Sequence, residues 1–355
     1  MISIFTTKDN LESICLEESK RPWLDIIIKL KEVFINDENI FSEDVDIDDD
    51  PFYTLDEMQI DILSSKKDFI NSIPTNPVIV LQHPSSIFLL DISPEKASQI
   101  QRDYGVICQS TGKLDFRPLS QSHFPTELLE GETGKSWSNM IAKFKKLPSN
   151  SALIIDAHLF AEDKYDEAQN CYDERKRDGL NNVREILDSL LPLSFKETYH
   201  IGVLITDTDK AKATHRTRSN LTNDRIASAI NKLKKSLNRS YPINIEVVFF
   251  NQSDDGHKLI HNRRILSNYF IVTAEYKLAA LRNSRSLCGQ SIAAFPLFEG
   301  IDTMPETDKK EKRMRSEIKQ LADFIHRQPN SHTASLYQNG QKIDDFSKIK
   351  HRFFQ

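Results

Sequence analysis

The chain has little of what marks a secreted, membrane-bound or zinc-binding protein. Its four cysteines lie far apart in 355 residues with no CxxC pair, which argues against a disulfide framework and a structural zinc site. No apolar run approaches the roughly eighteen residues that a bilayer-spanning helix needs. The opening MISIFTTKDNLES contains no basic segment followed by an apolar stretch, so secretion is not predicted. We therefore expect a cytoplasmic protein with reduced thiols and no membrane partner.

The composition is that of a globular protein long enough for two domains. Hydrophobic residues make up 39% and charged residues 28%, which predicts a packed core. The charge is unevenly divided, because residues 201–355 carry 26 basic and 16 acidic side chains, for a net charge of +10, while the first 200 residues have a net charge of -15. An anionic partner would therefore bind the second part, unless the two parts chiefly attract each other.

Alternating strand and helix patterns predict an α/β fold in both parts. In the first part, PVIVLQ and IFLLD read as strands, and Ser93 and Pro94 begin a helix that Gly105 ends. In the second part, SALIID and IGVLIT read as buried strands, and the segment LPSNS at residues 147–151 predicts a domain boundary. We predict a smaller acidic α/β domain over residues 1–147, followed over residues 148–355 by a basic domain with a mixed sheet flanked by helices.

Two segments imitate ligand-binding motifs without meeting their requirements. Asp44, Asp46 and Asp48 alternate as in a calcium loop, but Asp49 and Leu55 occupy the positions where that loop needs glycine and glutamate. The segment GETGKS at residues 131–136 lacks the first glycine of a phosphate loop and follows no buried strand. The sequence therefore predicts no metal site and no cofactor.

The most informative stretch runs from Ile243 to Ala280. An apolar strand over residues 245–250 is followed by a polar turn and by a second predicted strand that carries His261, Arg263 and Asn268. Since side chains alternate along a strand, His261 and Arg263 are predicted to share one face. This spacing places a guanidinium beside an imidazole.

That pattern resembles the motif of the phospholipase D superfamily, His-x-Lys-x4-Asp on a strand followed by a small polar residue. In this degenerate copy Arg263 stands at the lysine position, Asn268 stands at the aspartate position, and Thr273 is the candidate small polar residue. The resemblance implies a phospholipase D-like domain in which His261 attacks phosphorus to give a phosphohistidine. It further implies that Arg263 neutralises the phosphate oxygens and that Asn268 belongs to the surrounding hydrogen-bond network.

The two substitutions change what such a site can do. Arginine still binds two phosphate oxygens at once through its planar fork. Asparagine keeps its hydrogen bonds but carries no charge, so the resemblance supports phosphate binding more than turnover.

Further candidate residues surround this pattern. Asp156 and His158 lie at the end of the strand predicted in SALIIDAHLF, where ligands gather in α/β sheets, although neighbouring backbone amides are an alternative partner for both. The remaining candidates are polar or charged side chains near the basic helix or the predicted site: Arg216, Arg218, Lys258, Arg264 and Glu275. All but Glu275 would contact phosphate.

Three functions follow from these patterns. The first is binding of the phosphodiester backbone of nucleic acid by the C-terminal domain. The second is an active phosphodiesterase or nuclease using His261. It requires a homodimer or an unrelated base, because the chain contains no second HxK and two motifs meet at one site in the family. The third is a non-enzymatic subunit of a multi-component complex, for example in bacterial antiviral defence, whose acidic N-terminal half docks a protein partner.

Overall fold

The computed structural model divides the chain into two compact units, Met1–Gln121 (unit 1) and Ser122–Gln355 (unit 2). It describes residues 2–37, 51–57, 60–63, 66–115, 126–128, 141, 147–175, 177–209, 220–251, 255–274, 278, 292–296, 310–327 and 334–355. The division lies earlier than the boundary predicted at residue 147, because a strand at Thr126–Leu128 pairs with the sheet of unit 2.

Unit 1 is built on a five-stranded parallel sheet with the order β3-β2-β1-β4-β5. Its strands are β1 (Ile4–Thr6), β2 (Glu32–Ile35), β3 (Asp61–Leu63), β4 (Ile87–Leu90) and β5 (Ile107–Ser110). Its helices are α1 (Lys8–Leu16), α2 (Arg21–Leu30), α3 (Pro51–Glu57), α4 (Lys67–Ser72) and α5 (Pro94–Tyr104), with 3-10 turns at Glu18–Lys20 and Pro77–Gln82. A core of aromatic and aliphatic side chains around Phe5 and Phe88 covers one face of the sheet.

The predicted limits of α5 are confirmed. The Ser93 side chain accepts a hydrogen bond from the backbone N–H of Lys96, and Gly105 ends the helix in the left-handed conformation with a φ of 62°. The strand predicted for PVIVLQ is wrong, because Pro77–Gln82 forms a 3-10 helix in which only Val80 is buried. A short apolar run has no periodicity that separates a strand from a single tight helical turn.

Unit 2 is built on a nine-stranded mixed sheet with the order β16-β15-β11-β10-β7-β12-β13-β14-β6. Its strands are β6 (Thr126–Leu128), β7 (Ser151–Ile155), β10 (Tyr199–Thr206), β11 (Ile243–Phe250), β12 (Arg263–Ser267), β13 (Phe270–Ala274), β14 (Ile292–Pro296), β15 (Ala334–Gln338) and β16 (Gln341–Ile343); β8 (Tyr165–Asp166) and β9 (Cys171–Tyr172) form a separate hairpin. Its helices are α6 (Asp178–Leu190), α7 (Asn223–Ser236), α8 (Asp255–Ile260) and α9 (Lys310–His326). The α/β class and the mixed sheet flanked by helices are therefore confirmed.

The centre of this sheet is the set of parallel strands β7, β10 and β11. Nearly all of their residues are buried and most are aliphatic, as is typical of strands covered on both faces. The flanking strand β12 runs antiparallel to β7, with Arg264 opposite Ile155 and Ser267 opposite Ala152. This register brings the start of β12 to the carboxyl end of β7.

A tail segment, residues 346–354, docks back onto the same sheet. The Glu246 carboxylate accepts hydrogen bonds from the backbone N–H groups of Lys350 and His351, at 2.7 and 3.0 Å. The buried His351 ring contacts the Ala152 carbonyl oxygen at 3.0 Å, and Arg352 donates to the Asn150 carbonyl oxygen at 2.6 Å. The tail therefore fixes β7, the strand that carries the candidate site.

Candidate functional site

Asp156 follows directly after β7 and is fully buried. One carboxylate oxygen accepts a hydrogen bond from the backbone N–H of His158 at 2.9 Å, and the other accepts from the backbone N–H of Leu278 at 2.9 Å. The backbone N–H of Asp156 donates to the Leu204 carbonyl oxygen of β10. The carboxylate is therefore rigidly held by backbone amides, as the alternative interpretation of the sequence predicted.

Arg263 is brought to this carboxylate by the pairing of β12 with β7. Its Nε lies 3.8 Å from Oδ1 of Asp156, and its side chain is 17% exposed. This separation is too long for a hydrogen bond, so the contact is ionic. The ion pair holds the guanidinium at the edge of the sheet, with part of its surface accessible to solvent.

Two imidazoles lie beside the ion pair. The ring centroids of His158 and His261 are 5.7 Å apart and the ring planes meet at 84°, an edge-to-face arrangement. His261 is exposed, whereas His158 is half-buried. Burial lowers the pKa of His158, and the positive charge of Arg263 and the His261 ring lower it further. The lowered pKa favours the neutral form of the His158 imidazole. We call Asp156, His158, His261 and Arg263 the edge cluster.

The prediction that His261 lies on a strand is wrong. The polar turn expected around residue 255 is the short helix α8, and His261 lies between this helix and β12. Its backbone N–H donates to the Lys258 carbonyl oxygen at 3.4 Å. His261 is therefore positioned by this turn and not by the alternation of side chains along a strand.

The prediction that Asn268 joins His261 and Arg263 in one site is also wrong. Asn268 follows β12 and is fully buried near the start of β7, at the opposite edge of the sheet. Its Oδ1 accepts hydrogen bonds from the backbone N–H groups of Asn150 and Ser151, at 2.9 and 3.2 Å. Its Nδ2 donates to Oδ1 of Asn150 at 3.1 Å. The residue at the expected aspartate position therefore ties two strand ends together.

Arg264 and Thr273 do not join the edge cluster either. The Arg264 guanidinium is buried, where it pairs with Glu317 of α9 at 2.9 Å and donates to the Leu259 carbonyl oxygen at 3.1 Å. Thr273 is exposed and stands opposite Arg264 in the register of β12 and β13. Directly paired residues share a face, so both point away from the face of Arg263. Arg264 is thus a structural ion pair and not a phosphate contact.

Of the remaining candidate residues, only Lys258 lies within the described part of the chain. Lys258 is an exposed residue of α8, three residues before His261. Arg216, Arg218 and Glu275 lie outside the described residues, as do the acidic loop at residues 42–50 and the GETGKS segment.

Sequence reasoning missed two charged neighbours of this region. Asp207 is buried directly after β10, and its backbone N–H donates to the Phe250 carbonyl oxygen of β11. Like Asp156, it is an acid that follows a buried parallel strand, and that signal was available in IGVLITD. Glu317, the partner of Arg264, is one charged position among many on α9 and has no comparable local signal.

The edge cluster combines chemical groups suited to a phosphate ester. A guanidinium binds anions, and a neutral imidazole accepts a proton near pH 7. Within the described part of the chain, no group of three or more His, Cys, Asp or Glu side chains is placed to hold a metal ion. The same residues include no helix with the length and apolarity to cross a membrane.

Comparison with known proteins adds no family. No protein-family model matches the chain, and no curated protein matches its sequence.

Proposed function

We propose that unit 2 binds the phosphodiester backbone of nucleic acid at the edge cluster. The observation that carries this proposal is the convergence of Arg263, His158 and His261 at the carboxyl edge of the parallel strands, where α/β sheets bind ligands. The net charge of +10 in residues 201–355 adds a long-range attraction for a polyanion.

The ion pair with Asp156 shapes this activity in two ways. It places Nε of Arg263 3.8 Å from the Asp156 carboxylate, which orients the guanidinium plane. It also offsets one positive charge, so the edge cluster alone gives modest affinity. Contacts to phosphate oxygens carry little sequence information, and the expected binding is insensitive to base sequence.

The test is a fluorescence-anisotropy titration with labelled single-stranded and duplex oligonucleotides. We expect Arg263→Ala to weaken binding about tenfold, the loss of one charge-assisted contact. The matched control is Arg327→Ala, which removes an exposed arginine that follows α9 and pairs with Asp323. Binding should weaken steeply between about 50 and 200 mM salt.

Two outcomes would remove this proposal. If Arg263→Ala and Arg327→Ala weaken binding equally, affinity comes from surface charge in general and not from the edge cluster. If binding is absent or flat with salt, the non-enzymatic protein-interaction function is favoured instead.

A second candidate function is hydrolysis of the phosphodiester, and the neighbouring imidazoles of His158 and His261 favour it. His261 would form a bond to phosphorus as the bond to the leaving oxygen breaks, and that oxygen would take a proton from solvent. Neutral His158 would then accept a proton from the water that attacks the phosphohistidine, which restores His261. One chain supplies both imidazoles in this scheme, so catalysis does not depend on a homodimer.

A further inference from the structure

We propose that unit 1 binds a small sugar phosphate in a crevice at the carboxyl edge of its sheet. The chain adds β2 and β3 on one side of β1 and then adds β4 and β5 on the other, so the strand order reverses between β1 and β4. Connections that leave neighbouring strands in opposite directions open a crevice, and open parallel sheets bind their ligands there.

A cavity occupies this position in unit 1. Its volume is about 630 Å³, within the range of small-molecule sites. It is lined by the segments that follow four strands: Thr7 and Lys8 after β1, Asn36 after β2, Asp91 after β4 and Thr111 after β5. The cavity and the reversal point of the sheet therefore coincide.

The cations of the cavity come from three separate elements. Lys8 begins α1, Lys20 ends the following 3-10 turn, and Lys67 begins α4. The Lys20 ammonium is held by Ser13 and by Glu17, whose carboxylate is 2.9 Å away. These lysines line one cavity from separate elements, and an ammonium group donates hydrogen bonds to phosphate oxygens.

The backbone of α1 is not the anion site. The backbone N–H of Lys8 donates to Oδ1 of Asn36 at 3.1 Å, and the N–H of Asn10 donates to Oγ1 of the capping Thr7 at 3.3 Å. These first-turn amides are already satisfied by the chain itself. We therefore assign the phosphate to the lysine side chains of the cavity.

The remaining lining groups define the rest of the ligand. Asp9, Asp37 and Asp91 balance the three lysines, which disfavours a polyphosphate. Carboxylate and amide side chains accept and donate hydrogen bonds to sugar hydroxyls. Every lining residue is polar, charged or glycine, so the cavity favours a hydrophilic ligand over a lipid chain or an aromatic ring. A phosphorylated polyol fits this chemistry.

The test is isothermal titration calorimetry of the full chain with ribose 5-phosphate. The shift in the melting temperature of the protein on adding ribose 5-phosphate is the supporting measurement. We expect binding at millimolar or lower concentrations, and Lys8→Ala and Lys67→Ala should each weaken it about tenfold. Lys96→Ala is the matched control, because it removes an exposed lysine at the same edge of the sheet but outside the cavity lining. Arg263→Ala should leave this binding unchanged, which separates it from phosphate bound by unit 2.

Ribose and inorganic phosphate, titrated separately, complete the design. Each should bind more weakly than ribose 5-phosphate, since each fills only part of the cavity. Failure to detect heat or a melting shift with ribose 5-phosphate would overturn the proposal. Equal weakening by Lys67→Ala and Lys96→Ala, or equal affinity for inorganic phosphate, would overturn the sugar-phosphate assignment.

Discussion

The imidazole rings of His158 and His261 meet edge to face at 5.7 Å, although one follows β7 and the other precedes β12. The antiparallel pairing of these two strands produces the contact, because it sets the end of one beside the start of the other. Two imidazoles of one chain are thus brought side by side by strand pairing and not by a shared local motif.

The first prediction concerns this pair. If unit 2 hydrolyses phosphodiesters, His158→Ala and His261→Ala should each lower the cleavage rate of a labelled oligonucleotide by about a hundredfold or more. Asn262→Ala, at the exposed neighbouring position, should leave the rate unchanged. Because the pKa of His158 is lowered, its neutral form persists at a more acidic pH than in a free histidine. The contribution of His158 to the acidic limb of the rate profile should therefore lie at a lower pH than that of a free histidine. Full activity in either histidine variant would exclude this mechanism.

The second prediction separates Asn268 from function. Asn268→Ala leaves buried backbone N–H groups of Asn150 and Ser151 without their acceptor and should lower the free energy of unfolding by about 3 kcal/mol. Urea unfolding measures the loss, and Asn262→Ala should change the same quantity by less than about 0.5 kcal/mol. Under conditions where the Asn268 variant stays folded, nucleic-acid binding should be retained. Loss of binding with stability intact would return Asn268 to the candidate site.

The third prediction tests how α6 begins. The Asp163 carboxylate accepts hydrogen bonds from the backbone N–H groups of Gly179 and Leu180, at 2.8 and 3.1 Å. A Cβ at position 179 would overlap the Leu159 carbonyl oxygen, and backbone cannot move aside as a flexible side chain can. Gly179→Ala should therefore cost about 3 kcal/mol of stability.

A matched glycine in unit 1 provides the control for that change. At Gly112 the nearest atom to an added Cβ is Oγ of Ser110, 3.8 Å away, so Gly112→Ala should not lower the melting temperature. If both variants lower the melting temperature equally, steric overlap at position 179 does not explain the loss of stability in Gly179→Ala.

The fourth prediction concerns acid. Burial lowers the pKa of His351 to about 3, whereas an unfolded histidine titrates near 6.5. Between these values the unfolded chain binds a proton that the folded chain does not, so stability falls as pH decreases below 6.5. The slope from this residue is about 1.4 kcal/mol per pH unit. His200, whose pKa is lowered to about 4 mainly by burial, acts in the same direction.

His351→Gln isolates that contribution, because glutamine can donate a hydrogen bond but does not titrate. Burial raises the pKa of Glu246, so its contribution to the pH dependence has the opposite sign, and comparison of the two chains at each pH cancels it. Urea unfolding at pH 7, 6 and 5 should show a shallower loss in the variant. Parallel curves would mean that His351 titrates normally in the folded protein.

The parts of the fold that could be predicted have strong local signals. The limits of α5 follow from a capping serine and a terminal glycine. The strands β7, β10 and β11 follow from short, almost entirely apolar runs, which are typical of buried strands. The segment around residue 255 was misassigned because its six helical residues are too few to show a helical period.

The candidate site was only partly predictable for a different reason. Asp156 and His158 were recognised as strand-end residues, but their proximity to Arg263 depends on which strand pairs with β7. Pairing partners distant in sequence leave no trace in local composition. For the same reason the position of Asn268 could not be predicted. A motif read along one strand does not show that its first and last residues lie at opposite ends of that strand in the sheet.

Because the tail docks on β7, unit 2 cannot complete its folding until the last residues of the tail have been synthesised. The sheet of unit 1 is complete once Ser110 has been synthesised, whereas β7 receives its contact from His351 nearly two hundred residues downstream of Ala152. A nascent chain would therefore finish unit 1 long before unit 2, and until the tail has been synthesised the Ala152 carbonyl oxygen of β7 lacks its contact with His351.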